Sequence, residues 1–503
     1  MRNNNCCLKS GGIMSLQSNK TIGNEVSASP ARFRSRAAVP WAIPGLMVLA
    51  LFVTAAARAT SVLDPEPENS TTQFGRAIAD IGDVNGDGVP DLAVGAPFQD
   101  GDFEVSELGF GDPQNVGKVW VLNGATRAVI TQLNDPEFQQ VQDQKFGGQF
   151  GWSVAPAGDV NGDGIPDVIV GTPHHTVIEE DEDVFSVGRT FVFSGATDTV
   201  LLTLDNPTVE ENARAGTSVV SLGDVNRDGV ADVLVGAPGQ DVGDEEEGGL
   251  ADVGVAYLYS GANGALLRTL NHPEQDGAEV NARFGSAVAN AGDVNGDRVS
   301  DALIGAPGRG EAFVFSGKTG ALIFTILSPR NEKLPSFGSA VAGGKDLDND
   351  GIPDFAVGAP LLRRSQGGVF LFRGSDGTLL RRLRPPIAQQ FSKFGAAITL
   401  IADVTGDERP DVFVGAPEQD VNGLINAGQA YIYDGAGGSL FQTLTSETPQ
   451  AFAGFGLAVD AIDFSGDGTP TAVVGVPFQN AELIDPEDGD LVFHLQIGQI
   501  EIQ

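Results

Sequence analysis

Short aspartate-rich segments are the residues in this sequence best suited to chemistry. They follow the pattern D-x-[D/N/T/S]-x-D-G-x-x-D, which offers side-chain oxygens at positions 1, 3, 5 and 9 and a backbone carbonyl at position 7. Hard cations such as Ca²⁺ prefer oxygen ligands, and a glycine at position 6 permits the sharp turn around the ion. Carboxylates crowded in this way repel one another unless a cation is present. The pattern therefore predicts calcium loops.

Seven such loops occur, and their first aspartates lie 53 to 76 residues apart. The candidate calcium ligands are Asp83, Asn85, Asp87, Val89 and Asp91 in loop one; Asp159, Asn161, Asp163, Ile165 and Asp167 in loop two; Asp224, Asn226, Asp228, Val230 and Asp232 in loop three; Asp293, Asn295, Asp297, Val299 and Asp301 in loop four; Asp346, Asp348, Asp350, Ile352 and Asp354 in loop five; Asp403, Thr405, Asp407, Arg409 and Asp411 in loop six; and Asp463, Ser465 and Asp467 in loop seven.

The seven loops are not equivalent. Loop five carries the most carboxylates, so we expect it to bind calcium most tightly. Loop four has Arg298 at the glycine position, loop six has Thr405 and Glu408, and loop seven has Thr471 in place of the last aspartate. We expect these three to be weaker or partly empty, which predicts four to seven ions. The competing interpretation of each loop is a metal-free Asx turn.

The elements that must position these loops are short strands. In the first repeat we predict strands at 77–82, 92–95, 118–122 and 128–133, with the aspartate loop between the first two. The same arrangement recurs seven times without helical periodicity. This predicts an all-β fold, a seven-bladed β-propeller of four-stranded antiparallel blades spanning residues 60–503. Seven separate hairpin modules are the alternative, but they would leave many strand edges unpaired.

Closing the ring requires a last strand for blade seven. Residues 60–64 match the other fourth strands and precede a proline, as several of those strands do. We therefore predict that the N-terminal segment closes the blade, with residues 499–503 as the competing candidate.

Residues 1–59 differ from the repeats. Basic residues precede an apolar run from Trp41 to Ala57, and Ala57-Arg58-Ala59 fits a small-x-small cleavage signature. We predict a secretory leader and a mature chain that is secreted or held at the cell surface, in a periplasmic or extracellular setting. A membrane anchor is the alternative, although the run is short and contains Pro44 and Gly45. Both cysteines lie in the leader, so the mature chain would form no disulfide.

Charge restricts the partners. The net charge of −37 lacks the basic footprint that nucleic-acid binding needs, and a hydrophobic content of 41% argues against disorder. Three long loops, 98–116, 174–187 and 239–253, hold 16 acidic residues and no Lys or Arg. Short loops elsewhere carry the basic residues Arg309, Arg330, Lys333, Arg363 and Arg364. The long loops should lie opposite the aspartate loops, where they favour a cationic or metal-bridged partner, unless they are simply a solvated surface.

Each repeat combines Phe-Gly, the aspartate loop and Gly-Ala-Pro, as in Phe74-Gly75, GDVNGDGVPD and LAVGAP. EF-hand and dockerin loops also begin DxNxDG, but they lead into helices, whereas here strands follow. The combination resembles the FG-GAP repeat of integrin α-subunit N-terminal propellers and their bacterial relatives, over essentially all of residues 60–503. The resemblance implies a seven-bladed propeller with Ca²⁺ loops between the first and second strands. Because no leg domains, membrane helix or cytoplasmic tail follow in this sequence, we expect a free-standing module rather than a heterodimer subunit.

Two functions remain open at this stage. The first is a secreted calcium-binding propeller that binds an extracellular protein or glycan, as in adhesion. The alternative is a polysaccharide lyase or hydrolase built on the same kind of propeller. No nucleophilic triad, phosphate-binding loop or zinc spacing is present, and the exposed pair His174 and His175 has no evident partner, so we predict a binding protein and no enzyme.

Overall fold

The computed structural model describes residues 60–63, 72–100, 115–137, 147–178, 183–242, 251–273, 281–328, 336–484, 491–496 and 499–503. Contacts divide the chain into residues 1–56 and 57–503. The predicted leader, residues 1–59, lies outside the described residues. Within the described ranges, no helix has the length and apolar character needed to cross a membrane.

The described chain forms seven four-stranded antiparallel sheets, which confirms the predicted seven-bladed β-propeller. The first strands are Ala77–Gly82, Ser153–Gly158, Ser218–Gly223, Ala287–Gly292, Val341–Lys345, Ala397–Ile401 and Val459–Ile462. The second strands are Asp91–Ala96, Asp167–Thr172, Asp232–Ala237, Asp301–Ala306, Asp354–Gly358, Asp411–Ala416 and Thr471–Val476. The third strands are Lys118–Leu122, Arg189–Phe193, Val255–Tyr259, Glu311–Phe315, Val369–Phe372, Gln429–Tyr433 and Gln499–Ile502. The fourth strands are Val129–Asn134, Val200–Asp205, Leu266–Asn271, Leu322–Leu327, Leu379–Leu383, Leu440–Leu444 and Thr60–Leu63.

Blade seven is built from both ends of the described chain. Gln499–Ile502 pairs with Thr471–Val476 on one side and with Thr60–Leu63 on the other. The two segments treated as alternatives from the sequence therefore share one sheet, with the C-terminal one as third strand and the N-terminal one outermost. The pairing of distant segments joins the two ends of the propeller.

The Phe-Gly pair of each repeat forms the centre of a β-turn. In all seven blades the N–H of the residue after the glycine donates to the carbonyl of the residue before the phenylalanine position. The glycines have φ between 85° and 92°, as position i+2 of a type II turn requires. The six phenylalanines are completely buried, and in blade three Ala215 stands at the phenylalanine position.

The glycine of each Gly-Ala-Pro segment allows neighbouring blades to touch through their backbones. A Cβ added at Gly95, for example, would lie 2.0 Å from the carbonyl oxygen of Gly151 in the next blade. The same contact recurs around the ring, with distances of 1.9 to 2.3 Å, and its last member joins Gly475 of blade seven to Gly75 of blade one. The FG and GAP motifs are thus two halves of one contact between blades.

The core lies between blades. Each second strand is almost entirely buried because apolar side chains cover both of its faces. One apolar cluster contains Phe74 and Leu92 of blade one together with Ile462 and Val473 of blade seven. The first strands of adjacent blades also contact one another around the ring, including those of blades seven and one. Packing between adjacent blades therefore continues around the whole ring, including the junction of blades seven and one.

Where the structure describes the chain, three elements outside the blades were not predicted from the sequence. Val177–Ile178 pairs with Asp183–Val184, and Asn480–Ile484 pairs with Leu491–Gln496, so loops of blades two and seven contain added hairpins. Leu362–Ser365 forms one helical turn in which Arg363 and Arg364 have left-handed backbone angles. None of these elements belongs to the aspartate loops.

Candidate metal centres and the opposite face

The first aspartate of each loop organises the loop backbone. In loop one, Asp83 accepts the N–H groups of Gly86 and Asp87 through one oxygen, at 2.7 and 3.1 Å, and that of Gly88 through the other, at 2.7 Å. Its counterparts in the other six loops likewise accept the N–H of the residue five positions later. These bonds form an Asx-type turn, so hydrogen bonds within the loop are enough to give it this conformation.

The last aspartate joins the loop to the turn between the third and fourth strands. Asp91 is completely buried and accepts the N–H of Val84 at 2.9 Å and the N–H of Gly124 at 2.8 Å. Equivalent pairs of bonds occur in blades two to six. Blade seven has the hydroxyl of Thr471 at this position in place of a carboxylate. We call the side of the propeller that carries these loops and turns the loop face.

Burial of the last aspartate changes its acidity. Desolvation raises the pKa of Asp301 and of Asp354 to about 6, although backbone N–H groups oppose the shift. The pKa of Asp91 is also raised, mainly by burial. A divalent cation would favour the ionised form of these buried carboxyls, because an opposite charge compensates the desolvation.

The fifth residue of the loop is exposed and acidic. Asp87 accepts the N–H of Val89 at 2.9 Å and the side-chain amide of Asn123 at 2.6 Å, and these bonds lower its pKa. The position-7 residues whose carbonyls were predicted as ligands donate their own N–H to this carboxylate in six loops. The loop thus presents an ionised carboxylate close to the candidate carbonyl.

Two loops bring three carboxylates together within the described residues. Oxygens of Asp346, Asp348 and Asp354 in loop five lie within 4.8 Å of one another, and so do those of Asp403, Asp407 and Asp411 in loop six. All these donors are hard oxygens, which suits Ca²⁺. Loop six was expected to be among the weaker loops, yet its three carboxylates converge as those of loop five do.

Sequence reasoning missed a cation beside loop five. The Arg373 Nε atom donates to Asp348 Oδ2 at 2.7 Å and lies 3.9 Å from Asp350 Oδ2. Arg373 directly follows the third strand, where blades one to four and six carry Asn, Ser or Asp, so comparison of the repeats could have found it. Its charge stabilises the loop without metal and would compete with a bound cation.

Loop four accommodates its arginine in a strained conformation. Arg298 has φ of 65°, and its N–H still donates to Asp293 at 2.7 Å, as the residues at this position do in the other loops. The predicted backbone path is therefore kept at a steric cost. Its carboxylates, like those of loops one to three and seven, do not form a trio as compact as those of loops five and six.

The opposite side carries the FG turns, the GAP segments and the loops between second and third strands, and we call it the FG-GAP face. Most of the acids predicted to form an acidic half there lie outside the described residues, as do Arg330 and Lys333. Of the described ones, Asp100 accepts the N–H of Asn115 and Asp241 accepts that of Asp252. Arg363 and Arg364 are exposed on this side.

The two adjacent histidines are not part of the carboxylate trios. His175 is buried, which lowers its pKa to about 4. The Nδ1 atom of His174 lies 3.0 Å from the Oγ atom of Ser186, and burial also lowers the pKa of His174. Both imidazoles are therefore neutral near pH 7. The side chain of His494 lies outside the described residues.

Comparison with known proteins agrees with this architecture. The FG-GAP repeat family model matches residues 75–122, 150–189, 215–259 and 337–372. Integrin alpha-5 of Xenopus laevis is 33% identical over 249 residues, covering 47% of this chain and 21% of that protein. Integrin alpha-8 of Gallus gallus is 32% identical over 221 residues, covering 42% of this chain and 20% of that protein.

Fold and motifs together define an FG-GAP repeat β-propeller. Within that class, the chain is a distant and partial relative of the integrin α subunits. The matched region spans about a fifth of the length of these relatives.

Proposed function

We propose that this chain is an exported, calcium-stabilised β-propeller that binds an extracellular protein or glycan, in adhesion or surface assembly. The observation that carries the proposal is the set of seven aspartate loops on one face, two of which gather three carboxylates each. The similarity to integrin α subunits supports a protein-binding role.

Calcium would have a structural role in this proposal. The ligands predicted in the seven loops, from Asp83 to Asp467, would hold four to seven ions, with loops five and six as the best-supported sites. Each loop joins the first two strands of a blade, and in blades one to six its last aspartate also holds the third-to-fourth-strand turn. An ion there would tie three strands of one blade together while neutralising the clustered carboxylates.

The FG-GAP face would carry the partner. It holds the longest loops, and loops positioned by a rigid scaffold commonly carry binding functions. The acidic stretches predicted within these loops favour a cationic or calcium-bridged partner on that part of the face.

The binding role is tested by retention of the labelled full-length protein on arrays of extracellular-matrix proteins and glycans, with calcium and with EGTA. The proposal predicts specific retention that requires calcium, because the folded ring supports the loops. A matched variant, Asp346→Asn with Asp348→Asn, should bind less calcium yet keep its glycine contacts between blades. Specific retention that is unaffected by EGTA would contradict the coupling of calcium to binding.

The alternative enzymatic function is tested in parallel with acidic polysaccharides as substrates. Reproducible turnover that is abolished by one carboxylate variant would overturn the binding proposal in favour of a lyase or hydrolase. Export itself is tested by N-terminal sequencing of protein recovered outside the cell, for which the proposal predicts a start at Thr60.

A further inference from the structure

A cleft of about 220 Å³ lies on the FG-GAP face where blades two, three and four meet. Its basic side chains are Arg214 and Arg283, and its walls include Trp152, Pro173 and Pro238. The FG turns of three blades and the GAP segments of two supply these residues. The cleft and the loop face are on opposite sides of the propeller, because the cleft lies at the other ends of the first and second strands.

The two arginines occupy equivalent positions at the start of neighbouring FG turns. Both have left-handed backbone angles, with φ of 57° for Arg214 and 56° for Arg283. The equivalent residue of blade seven is Gly454, which adopts this conformation without steric cost. The other blades have Gln73, Gln149, Ser336 and Lys393 at this left-handed position, so two adjacent blades place an arginine there.

The backbone holds both arginines in place. The N–H of Arg214 donates to Ser186 and its carbonyl accepts the Thr217 hydroxyl at 2.7 Å. The N–H of Arg283 donates to the backbone carbonyl of Asp252, and the Arg283 carbonyl accepts the Ser286 hydroxyl at 2.8 Å. Binding would therefore order only the side chains, which lowers its entropic cost.

Neither guanidinium forms an ion pair within the part of the chain that the structure describes. Both arginine residues are exposed. The equivalent residue in blade six, Lys393, does have such a partner, since its Nζ atom lies 2.6 Å from Glu418. The contrast between equivalent positions leaves two positive charges available at one cleft.

Among the described residues that line the cleft, the remaining charges do not cancel both arginines. His174 is neutral near pH 7 because burial and the charge of Arg214 lower its pKa. Asp252 is the acid that lines the cleft. The guanidinium of Arg76 lies 4.1 Å from the centre of the Trp152 ring and fixes that wall. The lining residues that the structure describes thus carry one more positive than negative charge, beside a rigid aromatic and proline surface.

We propose that this cleft binds a carboxylate side chain on an acidic peptide segment of a partner protein. The guanidinium groups of Arg214 and Arg283 pair with the carboxylate, since planar guanidinium groups suit bidentate recognition. An apolar side chain next to the acid packs against Trp152 and the two prolines. This inference deepens the proposed binding role and rests on it; it concerns the two arginines of the cleft, which borders the acidic loops 174–187 and 239–253 through His174 and Asp252.

The test uses full-length protein in calcium buffer and two capped peptides that differ in one residue, Ala-Glu-Leu-Ala and Ala-Gln-Leu-Ala. Binding is followed by tryptophan fluorescence, because Trp152 lines the cleft whereas Trp120 is buried. The glutamate peptide should bind with a Kd of about 1 mM or tighter and the glutamine peptide at least about tenfold more weakly. Equal affinity for the two peptides would overturn the proposal.

Variants locate the site. Arg214→Gln and Arg283→Gln should each weaken binding of the glutamate peptide at least about tenfold, whereas Arg364→Gln, an exposed arginine on the same face, should leave it unchanged. Bound peptide should also raise the pKa of His174, measured by NMR, because it places a negative charge near the ring. Equal loss in all three variants, or binding of a phosphoserine peptide but not the glutamate peptide, would contradict the carboxylate assignment.

The outcome separates this inference from the proposed function. Retention on the arrays without glutamate-peptide binding would refute the cleft and keep the adhesion role. Peptide binding lost in both cleft variants, together with no retention on any array, would support the cleft and refute the adhesion role.

Discussion

The contact between Gly475 and Gly75 gives a sharp prediction about ring closure. A Cβ at residue 475 would lie 2.1 Å from the Gly75 carbonyl oxygen and 3.2 Å from the Ala458 Cβ atom. Real Cβ atoms essentially never approach within 3.0 Å of another atom, so Gly475→Ala requires blades seven and one to separate by about 1 Å. The nearest atom is a backbone oxygen and the next side-chain atom is the Cβ of an alanine, so no flexible side chain can move aside.

We expect Gly475→Ala to lower the free energy of unfolding by about 3 kcal/mol, at the upper end of typical overpacking costs. The assay is equilibrium unfolding in urea, monitored by circular dichroism in calcium buffer. Gly423→Ala is the matched control, because Gly423 has φ of 86° but no atom within 4 Å of the added Cβ. That control should cost only about 1 kcal/mol, through backbone strain.

A second variant tests whether the loss of stability arises at the glycine contact between adjacent blades. Gly305→Ala, whose Cβ would lie 2.0 Å from the Gly338 carbonyl oxygen between blades four and five, should cost as much as Gly475→Ala. If Gly475→Ala destabilised the protein no more than Gly423→Ala, the reasoning that glycine contacts hold adjacent blades together would be refuted.

Three further predictions concern named carboxylates and a cation. In EGTA, Asp232→Ala should lower the free energy of unfolding by about 2–4 kcal/mol, because it leaves the buried N–H groups of Val225 and Gly261 unpaired. Urea unfolding measures the loss, and Asp228→Ala, at an exposed aspartate of the same loop, is the control. Equal losses in the two variants would contradict the bridging role of Asp232. Burial raises the pKa of Asp460 to about 6, so its contribution to stability is present at low pH and is lost as pH rises through that value. Asp460→Asn should therefore raise the melting temperature at about pH 8 but not at about pH 4.5, and an equal change at both would contradict this. Arg373→Gln should tighten calcium binding at loop five by about threefold to tenfold in a terbium-luminescence competition, since it removes a competing charge, and weaker binding would contradict that role.

Much of the fold follows from the sequence because its local signals repeat. A Phe-Gly pair, an aspartate loop and a Gly-Ala-Pro segment recur in the same order, so each strand boundary is marked several times over. The strands of blade one begin and end within one residue of those predicted. The reason for the glycines was not evident from sequence, since the contact of Gly95 with Gly151 joins residues of different blades.

Blade seven shows where the local signals fail. Its third strand lacks the aromatic pattern of the others, and an added hairpin, Asn480–Ile484 with Leu491–Gln496, separates it from the second strand. Sequence reasoning therefore treated Gln499–Ile502 as a substitute for the N-terminal strand, whereas the sheet contains both. Register between distant segments depends on packing that no single repeat encodes.

The sequence predicted which residues of each loop could bind a metal ion, but not which loops bring their carboxylates together. The loop pattern identified the oxygen donors, yet it ranked loop six with the weak loops because of Thr405 and Glu408. Neither residue belongs to the trio Asp403, Asp407 and Asp411, so neither prevents its convergence. The cleft arginines were also missed, because left-handed backbone angles at equivalent turn positions appear only in three dimensions.

The claim that calcium stabilises the ring is tested most directly by thermal unfolding of the full-length protein in EGTA and across a series of calcium concentrations. Each occupied loop should add about 2.7 kcal/mol to the free energy of unfolding when free calcium reaches about a hundred times its Kd. The melting temperature should therefore rise steadily with calcium, and the rise should shrink in the Asp346→Asn, Asp348→Asn variant. A melting temperature that is the same in EGTA and in saturating calcium would contradict the central claim.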